Sequence, residues 1–346
     1  MRPTVPARHR SPRRAPPPLC RLSWPAPCSS SASASVGSRA CDTAHSSLSA
    51  ERAGDCSGHR PAPGWQDQSV QESRTHESDT RKLDVRLLTA IAEMREADLL
   101  LRKVWGAGPG DDAPFTVDTM RALSHTGGYV AAAFLDDEMV GVAGGFHAIS
   151  GPLHSHVAGV IPGLQGKGIG LAMKQHQRSW AAGHGIASVS WTYDPLIRRN
   201  AYFNLARLGA QAVEYLPEFY GVINDSINAG DLTDRLYVDW PVAEGAPAEL
   251  PPLESFEAVV DVTGTRPVTP TTEPTEWAPL VRCAVPADIE ALRRTDPDAA
   301  RAWRLAVRAG LHGAMAAGYR VVGFDRSGWY LLQRPDSDHT DTPRER

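Results

Sequence analysis

The stretch that most constrains this chain runs from His156 to Leu171. His-Val-Ala-Gly-Val-Ile-Pro reads as a short strand, Gly-Leu-Gln-Gly-Lys-Gly as a turn, and Ile-Gly-Leu as the start of a helix. Gly166, Gly168 and Gly170 follow Gln165 closely, so the backbone there can approach a ligand. The helix that follows directs its unpaired N–H groups and the positive end of its dipole into the turn. An anionic, phosphate-bearing ligand fits such a place best. A glycine turn that only joins a strand to a helix is the ordinary alternative.

Two nucleotide-binding patterns fail on named positions. A P-loop needs a glycine five residues before Gly166-Lys167 and a Ser or Thr after the lysine, and those positions hold Ile161 and Gly168. A dinucleotide fingerprint counted from Gly166 would place its last glycine at Leu171. What remains is Gln-x-x-Gly-x-Gly at Gln165, Gly168 and Gly170, behind a strand ending Gly-Val-Ile-Pro.

The chain has 346 residues, enough for two average domains or one with long extensions, and 42% are hydrophobic. A formal net charge of -4 gives no reason to expect a nucleic-acid surface, and no apolar run is long enough to span a bilayer. Cys20, Cys28, Cys41, Cys56 and Cys283 match no zinc-site spacing, so no metal is expected. An odd cysteine count without a secretory signal points to a reducing compartment, and the expected location is cytoplasmic.

Residues 1–80 are rich in Pro, Ser, Ala and Arg and read as a disordered tail, with a transit peptide or an over-extended start as alternatives. From Leu83 the periodicities give a strand over Asp84–Leu88, a helix over Ile91–Trp105 and a short helix over Asp118–Leu123. A hairpin of Tyr129–Leu135 and Met139–His147 comes next, with Gly144-Gly145 marking a bulge or a close contact. The strand around His156–Val160, a helix over Ile169–Ala182, a strand over Ala187–Trp191 and a helix over Arg198–Leu208 lead to closing strands at Val213–Leu216 and Leu236–Trp240. The fold class is α/β in the α+β sense, a mixed sheet flanked by helices over residues 81–242. Residues 243–276 read as a Pro/Thr/Glu-rich linker in which Phe256–Val262 has strand character. Residues 277–334 form a small α/β appendage that covers a site or makes a homodimer contact, and 335–346 is a second disordered tail.

The Gln165–Gly170 pattern, together with this element order, resembles the GNAT superfamily of acyl-CoA-dependent N-acyltransferases. Asn200 followed by Leu208-Gly209-Ala210 resembles that family's next segment, which usually ends Leu-Gly-Phe. The stretch Trp191–Trp240 resembles a little-characterised branch of predicted acyltransferases within it. The resemblance implies a mostly antiparallel sheet splayed at the cofactor site, with acetyl-CoA or another acyl-CoA as co-substrate. It implies that Val160 faces the pantetheine, that Gln165, Gly166, Lys167, Gly168, Ile169 and Gly170 hold the pyrophosphate, and that Asn200 reaches CoA or the acceptor.

The chemistry needs a base for the amine, an N–H donor for the oxyanion and an acid for the leaving thiolate. His156 stands on the strand where the family often takes its base, and alternation would put it on one face with Ala158 and Val160. A histidine held within the sheet surface is the alternative. The family's usual acid, a tyrosine, falls here on Leu205, which leaves Tyr202, Tyr193 or water. Asp194 is a further candidate for base or ammonium binding. Trp191, Asn224, Asp225, Asp234 and Arg235 are expected to line the acceptor wall, with Arg235 able to grip a carboxylate of an amino-acid acceptor or of a succinyl donor. Turn-forming residues and a surface ion pair are the plainer reading of that cluster. The expected activity is transfer of an acyl group, acetyl first among them, to the amine of a small molecule. A non-catalytic acyl-CoA-binding module is the alternative.

Overall fold

The computed structural model describes residues 82–108, 111, 113–149, 151–221, 231–243, 250–269 and 274–335. The first sheet is built from β1 (Leu83–Leu87), β2 (Tyr129–Leu135), β3 (Glu138–His147), β4 (Leu153–Val160), β5 (Ser188–Tyr193), β6 (Gln211–Leu216) and β7 (Arg235–Pro241). They lie side by side in the order β1-β2-β3-β4-β5-β7-β6. Every neighbouring pair is antiparallel except β4 and β5. Asp136 and Asp137 both take positive φ, 51° and 68°, which is the two-residue turn a tight hairpin between β2 and β3 requires.

Alternation along β2 shows how the faces are divided. Val130, Ala132 and Phe134 pack with Met94, Leu101 and Met120, which belong to α1 (Ile91–Trp105) and α2 (Val117–His125). Tyr129, Ala131 and Ala133 face the other way, into a core shared with Ile169 and Met173 of α3 (Ile169–Gly183). α1 and α2 therefore cover one face and α3 the opposite one.

Two departures from regularity fall at β4, beside smaller register shifts at Ala133/Phe134 and Ala212/Glu214. Gly144 pairs with Val157 but Gly145 pairs with Ser155, so His156 is the extra residue of a bulge. The two glycines permit it: a Cβ on Gly144 would meet the Phe115 ring at 2.3 Å, and one on Gly145 the His154 carbonyl at 2.7 Å. The bulge resets the alternation expected for His156, Ala158 and Val160. Ala158 pairs with Ala143 of the α3-side core, whereas the His156 ring lies against Phe115 and Phe146, with Phe115 packed into the α1/α2 core. The second departure is that β4 pairs with β5 only at Leu153–Val189 and His154–Ser190, after which the strands part.

After β5 the chain forms α4 (Arg198–Ala201), which widens into a π-helical turn over Tyr202–Arg207 and ends at Gly209 with φ 73°. Asn200 does not cap this helix, since Ile197 occupies that position.

Residues 243–276 were expected to link two folded regions, yet they contribute β8 (Glu257–Thr263) and β9 (Arg266–Val268) to a second sheet. That sheet also contains β10 (Leu280–Ala284), β11 (Arg320–Asp325) and β12 (Trp329–Gln333), in the order β11-β12-β10-β8-β9. The strand character of Phe256–Val262 is thus realised in β8, which pairs in parallel with β10. Tertiary pairing outweighs the Pro/Thr-rich composition. α5 (Ile289–Thr295), α6 (Pro297–Val307) with its π-helical extension Arg308–His312, and α7 (Gly313–Ala316) complete the region. Residues 1–80, and 336–346 of the C-terminal tail, lie outside the described residues. Among the described residues no helix is long and apolar enough to cross a membrane.

The two sheets share one hydrophobic core, which runs from Val189, Trp191 and Val238 to Val260, Trp303 and Tyr330. A buried ion cluster joins them as well. Arg304 donates to both oxygens of Asp194 at 2.9 Å and to Asp231 at 2.9 Å, while Arg293 reaches Asp194 at 2.6 Å and Asp231 at 2.9 Å. Arg304 is fully buried. Burial alone would raise the Asp194 carboxyl, but the charge and hydrogen bonds of Arg304 and Arg293 hold it well below the usual carboxylate range. Its stabilising effect is therefore present above the unfolded value of about 3.9 and is lost only as pH falls below that, toward the folded value. Replacing Arg304 with Met leaves two buried carboxylates sharing one arginine. Urea unfolding of Arg304→Met is expected to show a loss of about 3–5 kcal/mol; a loss below about 1 kcal/mol would mean the cluster does not hold the sheets together.

Candidate active site

Between the last residue of β4 and the first of α3, Gly163, Gly166 and Gly168 take φ values of 89°, 77° and 87°. No atom lies within 4 Å of where a Cβ would stand on Gly166, Gly168 or Gly170. Gly166 and Gly168 meet a backbone requirement, and all three leave the approach open rather than accommodating a packed neighbour. Gly168 is the N-cap of α3 and supplies no side-chain cap, and the first turn of α3 carries no acidic residue. The first turns of α2, α5 and α6 each have both a side-chain cap and an acid. Gln165, Gly166, Lys167 and Gly168 are exposed, while Ile169 anchors the helix start in the core. The arrangement suits an anion held by main-chain N–H groups.

The turn leads directly to the parted strands. Beyond His154 and Ser190 the two strands no longer pair, which leaves the β5-facing main chain of Ser155–Val160 open to a ligand. Half-buried Val160 stands at the outer end of this opening and Ser155 at its apex.

Each face of the apex has its own chemistry. On the α1/α2 face, His154 and His156 lie beside Phe146, with ring centroids 5.2 and 6.0 Å away, and Phe115 is 6.1 Å from His156. Burial lowers both histidines below the usual imidazole value, and for His154 the charges of His156 and Lys174 add to it. Two neutral imidazoles thus lie side by side at neutral pH. On the α3 face, the Lys174 amine donates to Ser155 Oγ at 2.9 Å and to Gln177 Oε1 at 3.1 Å, and sits 3.7 Å from the Trp191 ring centroid. Burial lowers Lys174 to about 7. Lys174, Gln177 and Ser155 were missed in the sequence. The only available signal was three polar positions on helix and strand faces that otherwise read as core.

Several expected site residues serve the junction between the sheets instead. Asp194 has its oxygens filled by Arg293, Arg304 and the Leu196 N–H, which removes it as a base. The Tyr193 hydroxyl is buried against that of Tyr330, and burial raises its pKa, which removes it as an acid. Asp234 accepts from Tyr215 at 2.6 Å and from Arg308 at 2.5 and 2.9 Å. Arg235 is buried, donates to the Asp234 carbonyl and lies 5.2 Å from the Tyr220 ring centroid, so its guanidinium is already engaged within the protein. Trp191 is buried with one face toward Lys174 and an edge contact to Trp240. The paired arginines that claim these carboxylates come from residues 293–308, far along the chain, where local sequence gives no hint of them.

Leu205 is buried in the π-helical turn, as an apolar residue should be. Tyr202 is half-buried, 6.0 Å from the Arg326 guanidinium, and Asn200 is half-buried on α4. Asn224 and Asp225 lie outside the described residues.

No family model matches the sequence, and no curated protein matches it. Solved structures similar to it include the ribosomal-protein-S18-alanine N-acetyltransferase from Escherichia coli, 12% identical with a TM-score of 0.38, covering 49% of this chain and 99% of its own. An acetyltransferase of the GNAT family from Streptococcus pneumoniae is 12% identical with a TM-score of 0.38, over 46% of this chain and 99% of its own. The Salmonella typhimurium protein yncA, an acetyltransferase candidate seen with its cofactor acetyl-CoA, is 17% identical with a TM-score of 0.39, over 49% and 98%. At these identities and TM-scores the likeness carries nothing about what this chain acts on. The element order, the mostly antiparallel pairing and the parting of β4 from β5 agree with the splayed mixed sheet expected from the sequence.

Proposed function

We propose that this chain is an acyl-CoA-dependent N-acyltransferase that moves an acyl group to the amine of a small molecule, with both substrates bound together. The observation that carries the reading is the continuity of the opening between β4 and β5 with the uncapped, glycine-lined start of α3. One end offers main-chain groups along an extended strand and the other offers N–H groups to an anion. Pantetheine, with its amides, and the adjoining pyrophosphate need that pair of surfaces in that order. Gln165–Gly170 would hold the pyrophosphate and Val160 would flank the pantetheine. When bound, CoA supplies the thioester as an activated acyl carbon.

The residues on this chain divide the remaining work between the two faces of β4. His156, kept neutral by burial, is the proposed acceptor of the amine proton. The rings of Phe115 and Phe146 border it. A β4 main-chain N–H is the proposed donor to the developing oxyanion. Arg235 no longer argues for a carboxylate on either substrate, so the acceptor is proposed only as a small amine and the donor as acetyl-CoA.

Purified protein given acetyl-CoA and a panel of small amines is expected to release free thiol above the rate of spontaneous hydrolysis. Tight CoA binding without release on any amine would instead favour a binding module. His156→Ala is expected to lower kcat by about 10²-fold or more with CoA affinity little changed. In the unaltered enzyme kcat should rise with pH through a value below the usual imidazole pKa of about 6.5. A His156→Ala enzyme that keeps both kcat and that acidic limb would remove His156 as the base.

A further inference from the structure

The most unusual group in the described structure is the amine of Lys174. A buried lysine is ordinarily paired with a carboxylate, but among the described residues none pairs with it. Its hydrogen-bond partners, Ser155 Oγ and Gln177 Oε1, are neutral and use two of its three ammonium donors. Gln177 is itself buried, and its Nε2 has no hydrogen-bond partner. Two nitrogen donors therefore lie close together in the interior with more donor capacity than acceptors. Buried groups of this kind call for an explanation, and an acceptor that arrives with a ligand is one.

Their position says which ligand atom that is. β4 and β5 pair last at His154–Ser190, so Ser155 and Trp191 are the first residues past the fork. Lys174 Nζ touches both. From Val160 to His156 the strand covers about 13 Å at about 3.3 Å per residue, roughly the reach of an extended pantetheine arm. An arm that starts at the glycine turn and follows β4 inward thus brings its sulfur to the apex. Three of the side chains expected near the thioester do not serve: Tyr193 is locked to Tyr330, Asp194 is held as a carboxylate by two arginines, and position 205 is leucine, while Tyr202 lies on the π-helical turn beside Arg326.

We propose that Lys174 is the acid of the reaction: its ammonium meets the sulfur of the departing CoA and gives it a proton. The proposal rests on the acyl-transfer reading above. The acceptor nitrogen loses a proton to His156 and bonds to the acyl carbon, and the carbon–sulfur bond breaks with its electron pair on sulfur. Sulfur takes a proton from Nζ, which leaves Lys174 neutral. Exchange with solvent returns the proton to Lys174 and removes the one on His156, so one proton is released and one taken up. Ser155 and Gln177 aim the amine, and Trp191 supports the cation across its ring face. Burial tunes Lys174 to about 7, near the value that lets one group both hold and release a proton at neutral pH. The titratable side chain coupled to it is His154 on β4, while α3 and β5 present Gln177 and Trp191, which do not titrate.

The test follows the ionisation of the bound CoA thiol by thiolate absorbance, alongside turnover, in the wild type, Lys174→Met and Lys174→Arg. In the wild type an ammonium beside the sulfur should let the bound thiol ionise at a lower pH than free CoA followed in parallel. Lys174→Met should lose that depression and lower kcat by about 10²-fold or more, with CoA affinity little changed. Lys174→Arg should keep the depression but not the turnover, because a guanidinium stabilises a thiolate without giving up a proton. Bound-thiol ionisation that is the same in the wild type and Lys174→Met overturns the proposal. If the methionine variant does not fold, full turnover in Lys174→Arg overturns it equally. A wild type that depresses the thiol pKa yet transfers no acyl group to any amine overturns the acyl-transfer reading, and this acid role with it.

Discussion

Two neighbouring strands that hydrogen-bond for two residues and then part expose main-chain groups in the middle of a sheet, and much of the rest of the molecule answers to that gap. A break of this kind is costly unless a ligand or a side chain satisfies what the partner strand would have satisfied. Here the apex is filled from the α3 side by Lys174, Ser155 and Gln177. The outer end runs into the glycine turn, where the N–H groups of α3 begin. The bulge at His156 belongs to the same arrangement, since it gives the imidazole to the α1/α2 face while Ser155 serves the α3 face. The proposed base and the proposed acid thus lie toward opposite faces of a single strand.

Stiffness on the β5 side of the gap comes from outside the first sheet. Asp194 after β5, and Asp231 and Asp234 before β7, are gripped by Arg293, Arg304 and Arg308. Tyr330 adds a hydrogen bond from its hydroxyl to the Pro195 carbonyl. Such an ion cluster contributes little net energy compared with a well-packed apolar junction, but removal of any one member strands the others. It holds Asp194, the residue directly after β5, against α5 and α6. The second sheet is in this sense part of the proposed active site without supplying a group to the chemistry.

Much of the first sheet was legible because its signals are local. Alternation in β2 and β3, the two aspartates of their turn, the glycines before α3 and the apolar stripe of α1 all act over a few residues. The bulge was announced by Gly144-Gly145, but its consequence for His156 was not, since a one-residue insertion changes every face assignment beyond it. Asp194, Asp234 and Arg235 looked like site residues because polar clusters beside a strand end usually face solvent or substrate. The arginines that hold the two aspartates lie in residues 293–308, and no local pattern reports a contact across 74 to 110 positions. Lys174 was hidden for the opposite reason: on an amphipathic helix a lysine is assumed to reach water, and only the packing of β4 and β5 over it shows otherwise.

The central claim is that the parted strand and the glycine turn together form one CoA site. Hydrogen–deuterium exchange with and without CoA tests it most directly. The account predicts that CoA slows exchange of the amides in Ser155–Val160 and in Gln165–Leu171, with little change in β8 and β10. Protection that spares both of those segments while CoA is bound would contradict it.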